Sequence, residues 1–351
     1  MNIVDRADLR ARVQKALAGF LAHQRARLTA IGPALAPVAE AIEGFVLHGG
    51  KRLRPAFAYW GYRGAGGPDS EEVVATVAAL EFVHASALIH DDVMDDSDTR
   101  RGEPAIHRRF AGAHVAGGWA GDPEAFGQAV AILLGDLTLV WSDELLHGGG
   151  LDAAAVARAR PVFDEMRTEV TAGQYLDVLG QAVGDVSVGW AELVARYKSA
   201  KYTVEKPLLF GAALAGAPRD VAAAYSAYGL PLGEAFQLRD DVLGVYGDPA
   251  RTGKPAGDDL REGKRTYLVA TALAAADEDQ RRVLRAGLGD PGADVDALRE
   301  IISGTGALAR TERRIHELTD QALVAIVAAE LDGEAKQALT ELAGAATQRT
   351  R

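Results

Sequence analysis

The sequence predicts an all-α fold, a single large helical bundle, and three observations carry that expectation. Apolar residues recur at three- and four-residue spacings along most of the chain, in stretches rich in Ala, Leu, Arg and Glu. Strand signals are nearly absent, since no alternating Val/Ile/Thr/Tyr run is bounded by turn residues. Gly and Pro cluster between the periodic stretches, at 61–68, 112–123, 148–150, 216–218, 249–257 and 287–292, where they punctuate helices. The 351 residues would admit two ordinary domains, but no Ser- or Pro-rich tract and no repeat of fixed period divides them. One domain over residues 1–351, with many helices around a common core, is therefore expected.

The elements follow in order. The opening MNIVDRADLRARVQK is charged, lacks the apolar core of a signal peptide, and leads into a helix over 7–29. The segment 71–90 reads as a helix that is apolar and Ala-rich from Val73 to Ile89 and should be buried. Residues 112–126 (GAHVAGGWAGDPEAF) are Gly-rich and poor in helix formers, and read either as a surface loop or as a mobile lid over the charged run before them. Helices are expected over 152–180, 220–246, 266–287 and 296–346, the last region serving packing alone. No uninterrupted apolar run approaches the roughly 20 residues of a membrane-spanning helix, so the chain reads as soluble and cytoplasmic with no integral membrane segment.

Charge and composition exclude several functions. Lys+Arg 38 against Asp+Glu 49 gives a net charge of −11, which argues against nucleic acid as a partner because phosphate contacts need a basic surface. A site can still be locally basic. With no cysteine, disulfide scaffolds, thiolate zinc sites and cysteine nucleophiles are ruled out.

Two acidic clusters stand out. In Leu88-Ile-His-Asp-Asp-Val-Met-Asp-Asp-Ser-Asp-Thr-Arg-Arg-Gly102, five aspartates fall at 91, 92, 95, 96 and 98, at the end of the apolar helix. Asp91 and Asp95 are i and i+4, so a helix places both carboxylates on one face, where their repulsion calls for a compensating cation. Mg²⁺ binds through one or two carboxylates plus substrate phosphates. The guanidinium pair Arg100 and Arg101 would grip the remaining phosphate oxygens. An exposed acidic turn is the plainer alternative. The second cluster, Phe236-Gln-Leu-Arg-Asp-Asp-Val-Leu-Gly-Val-Tyr-Gly-Asp248, again ends an Ala/Leu-rich helix and delivers Asp240 and Asp241, with Asp248 two turns on from Asp241. Facing helices would bring both clusters to one set of metals. Basic motifs complete the pattern: Gly49-Gly-Lys-Arg-Leu-Arg-Pro55, Lys198-Ser199-Ala-Lys201, Gly253-Lys254 and Gly263-Lys264, several placing Lys after Gly where backbone approaches an anion closely.

These residues resemble the trans-isoprenyl diphosphate synthases of the polyprenyl synthetase family, most of all the bacterial geranylgeranyl diphosphate synthases. The first motif DDxxDxxxxRRG is met by Asp91, Asp92, Asp95, Arg100, Arg101 and Gly102, and GGKRxRP by Gly49 to Pro55. GQxxD appears as Gly173, Gln174 and Asp177, and the Lys-Thr pair as Lys198-Ser199. The second aspartate-rich region, followed by GK and GDDLREGKRT, runs from Gln237 to Thr266. The resemblance covers about 45–270, and leaves 271–346 as generic helix. It implies a helical bundle of the isoprenoid synthase type with a central metal–diphosphate cavity, and a homodimer.

The resemblance also implies roles. Asp91 and Asp95 would ligate two Mg²⁺ and Asp240 a third, about three per site, with Asp92 and Asp241 in support and Asp177 holding a metal-bound water. Arg100, Lys198 and Lys254 would hold an allylic diphosphate, with Lys264 near its outer edge. Lys51, Arg54, His84 and Arg101 would bind isopentenyl diphosphate. Ser199, through its carbonyl, and Gln237 would sit near the developing allylic cation. One position departs from the family: the second motif is usually DDxxD, and its fifth position here is Gly244. The third metal is expected to stay on Asp240 with water and phosphate. Ala87 and Ser86, four and five residues before the first aspartate, would line the floor of the tail pocket, with Val83 one turn deeper. None is aromatic, so a chain longer than farnesyl is expected, geranylgeranyl diphosphate first and a longer polyprenyl product second. A non-catalytic partner subunit would usually lose the aspartates or the basic grips. A class I terpene cyclase would not need the isopentenyl diphosphate site.

Overall fold

The computed structural model describes residues 7–184, 187–248 and 257–347. Helix α1 (Leu9–Ile31) and helix α2 (Ala36–Leu47) are joined by a 3₁₀ turn that Pro33 opens. Helix α3 (Leu53–Gly64) is buried along almost all of its length. Helix α4 (Glu71–Met94) starts at Ser70, whose hydroxyl accepts from the Val73 N–H at 3.3 Å, and Glu71 and Glu72 in its first turn complement the helix dipole. A two-residue antiparallel pair, Thr99–Arg100 with Glu103–Pro104, turns the chain into α5 (Ile106–Ala116) and α6 (Pro123–Gly148). Then come α7 (Ala153–Val183), α8 (Val188–Val194), a π-helical segment (Ala195–Glu205), α9 (Lys206–Ala215) and α10 (Arg219–Tyr246). After residue 256 follow α11 (Asp258–Arg261), α12 (Tyr267–Ala275), α13 (Glu278–Gly287), α14 (Val295–Gly304), α15 (Ala307–Ala328) and α16 (Gly333–Thr347).

The all-α expectation holds, with three differences. The predicted helix over 266–287 is two helices, because Asp277 forms a capping box with Gln280 and restarts the chain as α13. The predicted 296–346 is three, broken at Thr305–Gly306 and at 329–332. The Gly-rich 112–126 is no lid-like loop. Most of it is the end of α5 and the start of α6, and Trp119 between them stacks edge-on against His114 and Phe126 at 5.8 and 5.3 Å. That contact replaces what the segment lacks in helix propensity.

α4 lies at the centre of the largest core, against α6 and α1. Phe82 on α4, Phe20 on α1 and Trp141 on α6 meet with ring centroids 5.1–6.2 Å apart. α10 runs between the π-helical segment and α15, and a second core built on Leu260, Leu268, Leu284, Leu298 and Ile302 gathers under its C-terminal end. The two long helices that end at the acidic clusters thus point into one region. By length and average composition α4 and α6 are apolar enough to cross a membrane, although neither holds an uninterrupted apolar run of that length. Interruptions such as Gly135 and His84 break the apolar runs without lowering their average much. α4 is mostly buried inside the bundle, whereas α6 exposes a stripe of Ala129, Leu133, Asp136 and Val140.

Candidate active site

The two aspartate clusters converge on one cavity of about 850 Å³, lined on α4 by His84, Leu88 and Asp91 and on α10 by Gln237, Asp240, Asp241 and Gly244. Lys51, Arg54, Asp177, Lys198, Ser199, Asp248 and Lys264 line it as well. Residues some 150 positions apart meet because α4 and α10 each end there, as helical spacing and their apolar bodies require.

Asp91 and Asp95 lie at the C-terminal end of α4, where the Asp95 N–H bonds to the Asp91 carbonyl at 2.8 Å. Asp91 accepts from Gln174 Nε2 of α7 at 2.9 Å and from Lys198 Nζ at 3.3 Å, and the same ammonium holds Asp177 at 2.6 Å. Lys264 Nζ stands 3.5 Å from Asp95 and 3.4 Å from Asp259, and also pairs with Glu262. Burial would raise the Asp91 pKa, but Lys198, Lys264 and Arg100 outweigh it and hold it below the usual carboxylate range. Asp95 is pushed up to about 6 by burial and by the charge of Asp91. Burial works against the charge on Lys198, yet Asp91 and Asp177 raise its pKa, so it stays an ammonium.

The remaining aspartates of the first cluster divide by role. Asp92 is fully buried and accepts from Arg100 Nε at 2.8 Å, which fixes that guanidinium 3.8 Å from Asp91. Asp96 and Asp98 turn outward to Arg108, at 2.9 Å each, and brace the start of α5. In the second cluster Asp241 is buried and accepts from Gln237 Nε2 at 2.7 Å. Burial pushes its pKa up to about 8, with the charges of Asp259, Asp240 and Asp177 adding to the rise.

The basic wall lies opposite. Arg54 donates to Thr203 Oγ1 at 2.8 Å and stacks over the Tyr202 ring at 4.2 Å, which aims its guanidinium. His84 packs 6.3 Å from Tyr202, and burial together with Arg54, Arg101, Arg100 and Arg52 holds its pKa well below 6.5. Arg101 donates to the carbonyls of His48 and Phe45 at 3.0 and 3.3 Å, tying the turn after the first motif to the start of the Gly49–Pro55 segment. Between Lys51 and Arg54, Arg52 serves structure. It is buried against Glu81 of α4 and donates to Val46 O at 2.6 Å and Gln14 Oε1 at 2.8 Å.

Lys198 and Ser199 owe their placement to the π-helical segment, which sequence periodicity gave no sign of. Its i→i+5 bonding is seen where the Lys206 N–H reaches the Lys201 carbonyl. Glycines hold it from two sides: a Cβ on Gly173 of α7 would lie 2.3 Å from the Lys198 backbone nitrogen, and one on Gly233 of α10 would lie 2.4 Å from the Ala200 carbonyl. Only glycine permits such approach. Sequence reasoning also missed Tyr202, Thr203, Asp259 and Glu262; Gly-Asp-Asp-Leu-Arg-Glu-Gly-Lys264 carried the last two but was valued for its lysine.

The tail-pocket residues are placed unevenly. Ala87 lies on the α4 stripe continuous with Asp91 and Met94, which Gln174 of α7 contacts, and Val83 lies one turn below it. Ser86 is buried on another stripe, one turn below His90, whose Nε2 is 3.2 Å from the Ile132 carbonyl of α6. Lys254 lies outside the described residues.

The donor set suits a hard divalent cation. Among the described residues no three His, Asp or Glu side chains stand together as a closed cage, so an ion on Asp91, Asp95 or Asp240 would take its other ligands from a phosphate and water.

A family model described as polyprenyl synthetase matches residues 36–304. A geranylfarnesyl diphosphate synthase of Aeropyrum pernix is 33% identical over 313 residues, 86% of this chain and 92% of that one. A geranylgeranyl diphosphate synthase of Saccharolobus solfataricus is 34% identical over 265 residues, 72% of this chain and 73% of that one. Among solved structures, a geranylgeranyl pyrophosphate synthase of Corynebacterium glutamicum, complexed with isoprenyl diphosphate and magnesium, superimposes with a TM-score of 0.93 at 42% identity. The match covers 96% of this chain and 98% of that one.

Proposed function

Because the chain belongs to the polyprenyl synthetase family and is a prenyltransferase, we propose that it condenses isopentenyl diphosphate with an allylic diphosphate to give geranylgeranyl diphosphate. The observation that carries this reading is the single cavity in which Asp91 and Asp240 face Lys198 and Lys264 on one side and Lys51, Arg54 and His84 on the other. Two anionic substrates need two grips, and a cyclase or a binding subunit needs only one or none.

When bound, Mg²⁺ would lie on Asp91, Asp95 and Asp240 and neutralise the departing diphosphate, which makes ionisation to an allylic cation feasible. Lys198 and Lys264, now paired to the same carboxylates, would turn to the diphosphate as the metals replace them. Arg100, held by Asp92, would meet its remaining oxygens. Lys51, Arg54, His84 and Arg101 would seat isopentenyl diphosphate so that its alkene faces the cation. The Ser199 carbonyl and Gln237 would stabilise that cation, and the released pyrophosphate would take the proton. Ala87 and Val83 carry no aromatic ring, which supports a tail pocket deep enough for a product longer than farnesyl. The geranylgeranyl and geranylfarnesyl diphosphate synthases among the relatives support that reading, while others are named farnesyl diphosphate synthases.

We take the whole chain as one catalytic unit and propose a soluble homodimer through α6. Leu133 and Val140, 65% and 62% exposed, lie with Asp136 between them on a stripe that Trp119 and Val115 extend near its start, and a second copy would cover it.

Incubation with isopentenyl and farnesyl diphosphates, with and without Mg²⁺, tests the function. A metal-dependent geranylgeranyl product is expected after dephosphorylation and sizing. Longer products would keep the class and revise the tail pocket, and no elongation would refute the proposal.

A further inference from the structure

Lys198 and Ser199 line the cavity, but Lys201, the other lysine of the same motif, reaches α7 instead. Its Nζ stands 2.8 Å from Glu169 Oε1, and Lys206 Nζ stands 3.3 Å from Glu169 Oε2. One half-buried carboxylate therefore takes both lysines. The same two residues are the ends of a π-helical bond, in which the Lys206 N–H donates to the Lys201 carbonyl. In an α-helix of 3.6 residues per turn, residues five apart point roughly 140° away from each other. An i→i+5 bond brings them to one side, where a single carboxylate spans both. Glu165 adds a second contact to Lys206, at 2.7 Å, but from an exposed position and without Lys201.

The rest of the α7 stripe acts on the same segment. Glu169, Gly173 and Asp177 follow at four-residue steps along one face of α7. Gly173 lies against the Lys198 backbone, closely enough that only glycine fits, and Asp177 accepts from Lys198 Nζ at 2.6 Å. We infer that Glu169 is a positioning residue for prenyl transfer: by clamping Lys201 and Lys206 it holds residues 195–205 in their π-helical winding, and so sets Lys198 and the Ser199 carbonyl in the cavity. Rewinding one π turn as an α turn shifts the helix face by about one residue, roughly 100°, and would carry Lys198 off Asp91 and Asp177. This rests on the diphosphate reading above, which gives Lys198 and Ser199 their roles.

Two measurements on the full chain test it. Hydrogen–deuterium exchange of the substrate-free protein reads the winding, and steady-state kinetics with farnesyl and isopentenyl diphosphates and Mg²⁺ reads the positioning. Glu169→Gln keeps the shape and removes the charge. It is expected to speed exchange over 195–206, the Lys206 amide included, about tenfold or more, while the amides of α4 exchange as in the wild type. It should also raise the KM for farnesyl diphosphate several-fold and lower kcat about tenfold. Loss of folded enzyme alone would lower the rate and leave KM unchanged. Lys201→Gln should act in the same direction, and decides should Glu169→Gln fail to fold. Glu165→Gln, which takes a charge from Lys206 without opening the clamp, should match the wild type in both measurements. Unchanged exchange over 195–206 or a wild-type KM in Glu169→Gln would overturn the inference, as would an equal effect of Glu165→Gln. A wild type that elongates nothing would instead refute the function proposed above, and the role of Glu169 in it, whatever the exchange shows.

Discussion

At the residue scale, the cavity is a balance of buried charge. Arg52 and Glu81 form a buried pair that ties α3's entry to α4, and removing one partner alone would leave an uncompensated charge costing about 3–5 kcal/mol. His84 answers differently to the same field. Burial and the surrounding arginines depress its pKa, so the folded protein keeps it neutral while the unfolded chain takes a proton below about 6.5. The stability this protects is present above that pH and lost as pH falls. His84→Gln should therefore flatten the fall in melting temperature between pH 6.5 and 5.5 in the substrate-free protein, by the equivalent of about 1 kcal/mol at the lower pH. Parallel melting curves for the two proteins over that window would remove His84 as the cause.

At the element scale, α4 carries two jobs on two stripes. His84, Leu88 and Asp91 face the cavity, while His90 reaches the Ile132 carbonyl of α6 and Ser86, one turn below it, is buried. Ala87→Phe should shorten the product, because a ring there would stand in the path of the growing tail about one turn below Asp91. Ser86→Phe should instead act mainly on stability, by about 1–3 kcal/mol of overpacking. Product sizing and melting curves on both variants separate the two stripes, and a Ser86→Phe enzyme that is stable and makes shorter chains would reverse the assignment. The π-helical segment shows the same economy of position. Gly173 and Gly233 let α7 and α10 close on its backbone, so Lys198 reaches both Asp91 and Asp177 without an extended loop.

At the scale of the whole molecule, the exposed stripe of α6 calls for a partner of the same kind. Leu133→Glu should convert the proposed dimer to a monomer in light scattering at micromolar concentration, since a charge at the centre of an apolar contact leaves it desolvated and unpaired. A wild type that already runs as a monomer would rule out that interface. The dimer needs only α6 and its neighbours, so the cavity on the other ends of α4 and α10 would remain open to substrate.

The sequence by itself determined the helical class, the two aspartate clusters and the basic motifs, because periodicity, Gly and Pro punctuation and short-range charge patterns are local and are written in consecutive residues. It located Asp91, Asp95, Asp240 and Lys198 for the same reason. Only the tertiary structure decided that the Gly-rich 112–126 closes into helices around Trp119, and that a π-helical turn aims Lys198. It alone showed that Glu169 of α7 gathers Lys201 and Lys206. Each of these depends on what another helix brings to the same few ångströms, and no spacing along a single segment records that.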